Sequence, residues 1–419
     1  MASMANSDAL AVQLEVVAKL VSEFYEFEDA LCSRFQKVMT LDQSSRDLRI
    51  PIPMAPGGKF RQGSFDGGGM GRGSGGNYQV ATLTPIDQWI ALEINDKVAL
   101  TTDSTVKSIA DIVAREVGQQ MAEFKNYKDS LLQTAGTGIL GTIGTGGVSG
   151  TVYTLTTPFY AQLLRQGQPI TVYNSTQTTL RGTATITAID QVAGTITVDA
   201  SPGGTTDADK ICLGGLTATP PTSLFGLSYH HNSASTGSWL GLSRVTYPGV
   251  RTPTVTASSS LTTVHPQLLL AKMELALGSN IFDTGKWFWY MHQSQHLAWV
   301  ELGQLISEIH LQQNNAPNGA VDLLMSRRQM RRIAGFEVMT SIHADRTRID
   351  MIDSENWLRG TYKETGLHSM GGQTKLPTYD ATGGYGNSSL SYISNSEQYA
   401  VKNPRRGGYV SGLTEYAGL

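Results

Sequence analysis

The segment from Ile50 to Gly76 constrains this chain more than any other. It begins Ile50-Pro51-Ile52-Pro53-Met54-Ala55-Pro56-Gly57-Gly58 and later runs Gly67-Gly68-Gly69-Met70-Gly71-Arg72-Gly73-Ser74-Gly75-Gly76. Alternating prolines fix φ and remove backbone donors, which forbids helix and favours extended chain. The glycines let the following stretch reorient at little steric cost. Strand-like patterning returns at Tyr78–Leu83 and Trp89–Ile94. Residues 49–95 are therefore expected to form a long hairpin with a flexible tip. Such a hairpin cannot bury both faces in its own domain and needs another surface to lie on.

Two amphipathic patterns flank it. Leu10, Leu14, Val17, Val21, Phe24, Phe27, Leu31, Phe35 and Val38 recur every three or four residues, with Glu15, Lys19, Glu23, Glu28 and Asp29 between them. This predicts an N-terminal helical arm over 1–48, packed on its own domain or docked on a neighbour. After the hairpin, Asp103 or Ser104 is placed to cap a long helix. Val106, Ile109, Ala110, Val113, Val117, Met121 and Phe124 line one face of it, to an end at Ala135-Gly136-Thr137-Gly138. Residues 96–150 are read as a domain built on that helix.

Residues 151–216 change character. Ile170–Tyr173, Leu180–Ile189, Thr195–Val198 and Lys210–Leu213 alternate Thr with aliphatic residues and are separated by turn residues such as Pro202-Gly203-Gly204. They predict a small inserted β-rich domain. Residues 217–264 are loop-rich. Residues 265–380 are mixed α/β, with helices at 265–278 and 292–310 and strands at 286–291, 335–340 and 348–352. The tail, 381–419, has strand character at 390–401. The fold class is α+β.

Charged residues make up 16% of the chain and glycine contributes 45 positions. The low charge content suits a surface covered by neighbours, where unpaired charges are costly. A net charge of −3 does not suggest a dedicated nucleic-acid binder. The two cysteines, Cys32 and Cys212, make no disulfide framework, which fits a reducing compartment. Neither a signal peptide nor a membrane-spanning apolar run is visible, so the chain is expected to be cytosolic when made.

The usual catalytic patterns are not met. The glycine run lacks the Gly-Lys-Ser/Thr ending and the strand–helix context of a phosphate loop. His292 and His296 stand four apart, but Gln293 replaces the glutamate of a zinc protease and no third ligand is evident; they read as helix-surface or interface histidines. No Gly-x-Ser-x-Gly elbow occurs. Asp350, Asp353 and Glu355 cluster at a strand end, the one hint of paired carboxylates for a hydrolase. Arg327, Arg328, Arg331 and Arg332 form the strongest basic cluster. It reads as contact with an acidic neighbour, contact with packaged DNA, or a solvated face, with the neighbour or solvated readings favoured.

The order of parts resembles the major capsid proteins of tailed bacteriophages, the Hong Kong ninety-seven-type fold. The resemblance is carried by Ser130-Leu-Leu-Gln-Thr-Ala-Gly-Thr-Gly-Ile-Leu140 at the helix exit and by Leu224-Phe-Gly-Leu227 with Gly241-Leu-Ser-Arg-Val-Thr-Tyr-Pro248. It continues through Lys286–Ile352, with Ile333-Ala-Gly-Phe-Glu-Val-Met-Thr-Ser341. It implies an N-terminal arm, an extended hairpin loop, a long spine helix in a peripheral domain, and an axial α/β domain; the 151–216 block is extra. It further implies hexamers and pentamers closing an icosahedral head around double-stranded DNA held without sequence specificity. Scaffold, decoration and portal proteins are possible partners, the location is the virion after assembly in the host bacterial cytoplasm, and no cofactor, metal or membrane is involved. The expected intersubunit contacts are Lys59, Phe60, Arg61, Phe65 and Arg72 in the hairpin, Phe24 and Phe27 in the arm, and Arg327, Arg328, Arg331 and Arg332. Some members crosslink a hairpin lysine to a neighbour's asparagine; Lys59 is in the hairpin, but no asparagine or glutamate here matches the other partners. An encapsulin-type shell is the alternative within the fold, and a phage structural hydrolase is the alternative outside it.

Overall fold

The computed structural model describes residues 30–35, 38–40, 47–55, 75–95, 110–216, 218–278, 280–302, 332–368, 376–379 and 385–416. The described residues begin with helix α1 (Ala30–Arg34), strands β1 (Val38–Thr40), β2 (Leu48–Ala55), β3 (Asn77–Leu83) and β4 (Ile86–Asn95), and helix α2 (Ala110–Leu131). Next come β5 (Ile139–Ser149), β6 (Val152–Leu155), β7 (Pro169–Tyr173), β8 (Leu180–Asp190), β9 (Thr195–Val198) and β10 (Lys210–Leu213). A loop-rich stretch carries β11 (Ser238–Trp239), β12 (Leu242–Ser243) and β13 (Thr254–Thr256). Helix α3 (Val264–Leu277), β14 (Trp287–Met291) and helix α4 (293–302) follow. The remainder holds β15 (Arg332–Ile333), β16 (Phe336–Thr340), β17 (Ile349–Asp353), β18 (Trp357–Leu367), β19 (Leu376–Tyr379), β20 (Tyr385–Val401) and β21 (Gly407–Ser411).

The spine helix α2 has 22 residues, about 33 Å at the standard rise. Its expected cap at Asp103 or Ser104 lies outside the described residues. The chain leaves it through Gly136 and Gly138, both in the left-handed region at φ 83° and 69°, which a side chain would strain. Strands β5 to β10 then close a six-stranded barrel in the order β10-β5-β6-β9-β8-β7. Every described pairing in it is antiparallel. Leu140, Tyr153, Ile170, Val172, Ile186, Ile196 and Ile211 fill its interior. The barrel takes in β5, which the sequence reading left with the helix exit, so the β-rich block starts near residue 139 and not at 151. Four glycines within Ile139–Ser149 hide that strand from a propensity reading.

The hairpin pairs β2 with β3, from Leu48↔Leu83 to Ala55↔Asn77. Residues 86–95 do not belong to it, in contrast to the expectation. They form β4, which pairs antiparallel with β20 from Ile86↔Glu397 to Asn95↔Ser388. Strand β20 is the centre of a five-stranded sheet with β18, β19 and β1. The arm helix also ends earlier than expected. Val38 begins β1, which runs parallel to β18, and β-branched Val38 and Thr40 suit that pairing.

The axial sheet is six-stranded, β13-β21-β17-β14-β16-β15. It recruits β13 and β21 from outside the expected 265–380 boundary, while β18 and β19 inside that boundary belong to the other sheet. Both differences come from long-range pairing, which local sequence does not encode. Strand β14 is buried at all five positions. Alternate side chains point to opposite faces: Phe288 and Tyr290 join the main core, and Trp287, Trp289 and Met291 join the axial core under Leu269 and Met273 of α3. Gly278 ends α3 in a left-handed C-cap at φ 68°.

Where α1, α2, β18 and β20 meet, the packing is polar as well as apolar. Phe35 stacks on Trp357 with ring centroids 4.1 Å apart and planes 5° from parallel. Asp129 Oδ1 accepts the backbone N–H groups of Leu31 and Cys32 at 2.8 and 3.2 Å. Lys128 Nζ lies 2.6 Å from Glu397 Oε1, with Glu397 fully buried. The Tyr399 hydroxyl donates to the same carboxylate at 3.0 Å, and Arg359 Nε stands 3.6 Å from its other oxygen. Burial alone would lower the Arg359 pKa; Glu397 and Glu364 outweigh it and hold it above the usual value. Burial, with the nearby Cys32 and Glu397, pushes the Tyr399 hydroxyl well above its usual range, so it serves as a donor.

Replacing Lys128 with methionine would leave the buried Glu397 carboxylate with the neutral Tyr399 hydroxyl and, as its one cation, Arg359 at 3.6 Å. The expected cost is about 3–5 kcal/mol, read as a lower urea midpoint, and Lys128→Met combined with Glu397→Gln should recover most of it.

Candidate functional site: surfaces left uncovered by a single chain

The β2–β3 ribbon has two unlike faces. On one, Leu48, Ile50, Ile52 and Met54 pack on the main core beside buried Ala81 and Leu83. On the other, Tyr78 and Val80 are 67% and 50% exposed. Directly opposite them in register stand Pro53 and Pro51, also exposed. Strand β4 adds Trp89, 63% exposed. Large apolar side chains grouped on an outer face mark an interaction surface.

The prolines decide how that surface can be used. A proline cannot donate to the ladder, so within a paired strand its nitrogen faces the outer edge. Pro51 and Pro53 thus blunt the edge of β2 against another strand, a known device against unwanted edge pairing. What remains available is the apolar face.

The ribbon is held from behind by the loop after the barrel. Thr82 N donates to Leu240 O at 3.2 Å. Leu240 is fixed in turn by its N–H bond to the Tyr229 hydroxyl at 2.7 Å, and Tyr229 stacks on Phe225 at 4.1 Å. His230 locks this loop to the long sheet. Its Nδ1 accepts from Trp239 Nε1 at 3.0 Å, so its Nε2 carries the proton and donates to Tyr399 O at 3.1 Å. Burial pushes its pKa down to about 3; repulsion from His231 and Arg244 adds to this and the bond to Tyr399 opposes it. His343 donates from Nε2 to Asn126 of α2 at 2.9 Å, and burial lowers its pKa to about 4.

Of the sequence-predicted contact residues, Lys59, Phe60, Arg61, Phe65, Arg72, Phe24, Phe27, Arg327, Arg328 and Arg331 lie outside the described residues. Arg332 opens β15, exposed and opposite Glu337. The structure adds Tyr78, Val80 and Trp89. Tyr78 and Val80 face Pro53 and Pro51, a signal that needed the register to become visible, and Trp89 is set by the pairing of β4 with β20. The histidines also differ from expectation: His292 and His296, read as helix-surface or interface residues, are buried within the single chain.

The carboxylate cluster is taken up in ion pairs. Asp350 accepts two bonds from Arg348, at 2.7 and 2.8 Å, and one contact from His231 Nδ1 at 2.8 Å. Asp353 pairs with Arg406 at 2.9 Å. Two buried carboxylates committed to arginines are not a glycosidase pair facing a cleft. Among the described residues no group of three His, Cys, Asp or Glu is placed to hold a metal ion, and no helix is long and apolar enough to cross a membrane.

No protein-family model and no curated protein matches the sequence. The fold does find counterparts among solved structures. The capsid asymmetric unit of cyanophage A-1(L) superimposes with a TM-score of 0.58 at 11% identity, covering 98% of this chain and 100% of that one. The chain has the tailed-phage capsid fold. Two further structures, the capsid of a native GTA particle and the holo-SrpI encapsulin complex from Synechococcus elongatus PCC 7942, align at TM-scores of 0.47 and 0.46. Their identities are 10% and 9%, with 99% and 98% of this chain covered and 100% and 98% of theirs.

Acid should loosen the loop that backs the ribbon, through His230, and the contact of His343 with α2. His230 and His343 are held neutral when folded, at about 3 and 4 against the ordinary 6.5. Below pH 6.5 the unfolded chain therefore binds more protons than the folded one. Their stabilisation is complete above that pH and is lost as pH falls towards 4 and then 3. At pH 5 the loss is about 2 kcal/mol per histidine, to be read from urea midpoints of the unassembled subunit at pH 7.5 and pH 5.

Proposed function

We propose that this chain is the major capsid subunit of a tailed bacteriophage. It self-assembles into hexamers and pentamers of an icosahedral head that encloses double-stranded DNA. The observation that carries this reading is the exposed apolar ribbon face of Tyr78, Val80, Pro51 and Pro53 on a chain with a capsid fold. An exposed strip of this kind is a liability in a solitary protein and an asset in one covered by its copies. A closed shell gains from many modest contacts of this sort, because each contact raises the effective concentration for the next. The role is structural: the subunit positions surfaces and needs no reacting group. Packaged DNA, a portal, and scaffold or decoration proteins are the partners such a shell would meet, and the virion is its location.

The test is assembly. The chain, expressed alone and with its neighbouring phage genes, is expected to yield uniform closed particles or capsomers by electron microscopy. Particles from a productive infection should protect double-stranded DNA from nuclease; a cargo shell would instead enclose protein. Tyr78→Asp with Val80→Asp should leave the thermal midpoint of the free subunit within a few degrees, since both side chains are exposed, while reducing particle yield at least tenfold. Normal particle yield from that double variant would remove the ribbon face from the proposal.

A further inference from the structure

Three segments meet around the C-terminal end of α3, and each brings a cation. Arg251 comes from the loop entering β13, Lys272 from the helix itself, and Arg405 from the turn before β21. With Pro248, Pro253 and Leu275 they line a pocket of about 420 Å³, a size within the range of small-ligand sites. Lys272 and Leu275 stand three apart and so share one face of the helix.

Each cation is held in place by neutral carbonyls. Arg251 Nε and Nη2 donate to Arg244 O at 3.0 and 2.7 Å, and Nη2 also reaches Ser235 O at 3.3 Å. Lys272 Nζ donates to Thr254 O at 2.9 Å, and Arg405 Nη1 to Ala276 O at 3.1 Å. Among the described residues none of the three has a carboxylate within ion-pair distance. Arg348 and Arg406 of the same region do, facing Asp350 and Asp353. The carbonyl bonds also use only part of the donor set, since a guanidinium has five N–H groups and an ammonium three. Arg251 Nη1, Arg405 Nε and Nη2, and two protons of Lys272 have no acceptor among the described residues. Arg405, bonded in the last turn of α3, answers the negative end of the helix dipole. That role needs neither Arg251 nor Lys272. Three like charges around one pocket repel one another, and an anion placed among them removes that cost.

We infer that this pocket binds a small anion with several charges on adjacent phosphate groups, of which pyrophosphate is the simplest. Arginine matches phosphate oxygens two at a time, and lysine adds a point charge. The carbonyl bonds fix the three side chains before the ligand arrives, so little ordering remains to be paid on binding. A duplex backbone spreads its charge along the strand, one per nucleotide; adjacent phosphates deliver theirs to one place. The apolar wall of Pro248, Pro253 and Leu275 leaves room for an organic body attached to the phosphates, as in a free nucleotide. The bound anion would tie the 248–253 loop, α3 and the 404–406 turn together. A single chain supplies the whole site, so this inference stands apart from the shell reading.

Pyrophosphate is the probe, titrated calorimetrically into the full-length subunit at low salt. Saturable binding of one anion per chain is expected, weakening as sodium chloride is raised and accompanied by a higher thermal midpoint. Lys272 and Leu275 are both exposed, so their variants should keep the circular dichroism and the ligand-free midpoint of the unaltered chain. Lys272→Gln removes a cation and Leu275→Glu puts a carboxylate at the pocket wall; each should weaken binding at least tenfold. Leu275→Gln, which adds no charge, should bind as the unaltered chain does. A double-stranded oligonucleotide at equal phosphate concentration should not displace pyrophosphate. Absence of saturable binding, or unchanged affinity in Lys272→Gln and Leu275→Glu, overturns the inference. Displacement by the duplex would make the pocket a contact for DNA and overturn it as well.

Discussion

The contact on which the rest of the structure depends is the buried pair of Lys128 and Glu397. It joins the last turn of the spine helix to the C-terminal part of the 17-residue strand β20, at a point where both side chains are out of water. A carboxylate with no exposure is tolerable only if its charge is answered. Lys128 and Arg359 answer it, and Lys128 and the Tyr399 hydroxyl both bond Oε1. The neighbouring Asp129 takes the backbone of α1 from the opposite direction, and Phe35 closes over Trp357. Four elements from distant parts of the chain are therefore registered at one place. A well-packed apolar cluster could hold them as tightly, but the geometry of charge fixes which turn of the helix meets which residue of the strand.

From this joint two sheets extend, and each leaves something uncovered. The long sheet carries the ribbon, whose inner face is part of the main core and whose outer face is apolar and open. The axial sheet is sandwiched at β14, which feeds both cores, and carries α3 on the far side with Val264, Leu268 and Leu275 exposed. The barrel contrasts with both. It is closed, so it has no edge to protect, and most of its large apolar residues are buried, with Val152, Leu180 and Val192 exposed. It follows the helix exit without taking part in the pairing of the other sheets, because its strands pair among themselves, while its buried residues are continuous with the main core. Its exposed threonines make a polar outer wall.

Much of this organisation was legible in the sequence. The β7, β9 and β10 segments, the α3 helix and its glycine stop, and the strand at 287–291 follow from local periodicity and turn chemistry, which act over a few residues. The paired prolines and the glycine run announced a hairpin. What misled was pairing. Residues 86–95 read as part of that hairpin and instead lie against β20, some three hundred residues on. The glycine-rich β5 carries too little strand propensity to be recognised, yet closes the barrel. Of the surfaces, the arm and the basic cluster were singled out for their own residues, whereas Tyr78 and Val80 became recognisable only once Pro51 and Pro53 were set opposite them.

By itself, then, the sequence determined the fold class, the positions of most helices and strands, and the presence of more apolar surface than one chain can bury. Those are consequences of periodicity, proline and glycine stereochemistry, and composition. Tertiary structure alone decided which apolar residues stay outside, because exposure depends on the register between distant strands. It alone showed that Asp350, Asp353 and Glu397 are answered by Arg348, Arg406 and Lys128, because ion pairs form between side chains that no spacing rule connects. And it alone gathered Arg251, Lys272 and Arg405 around one pocket at the end of α3, since the segments that carry them meet only when the axial sheet has closed.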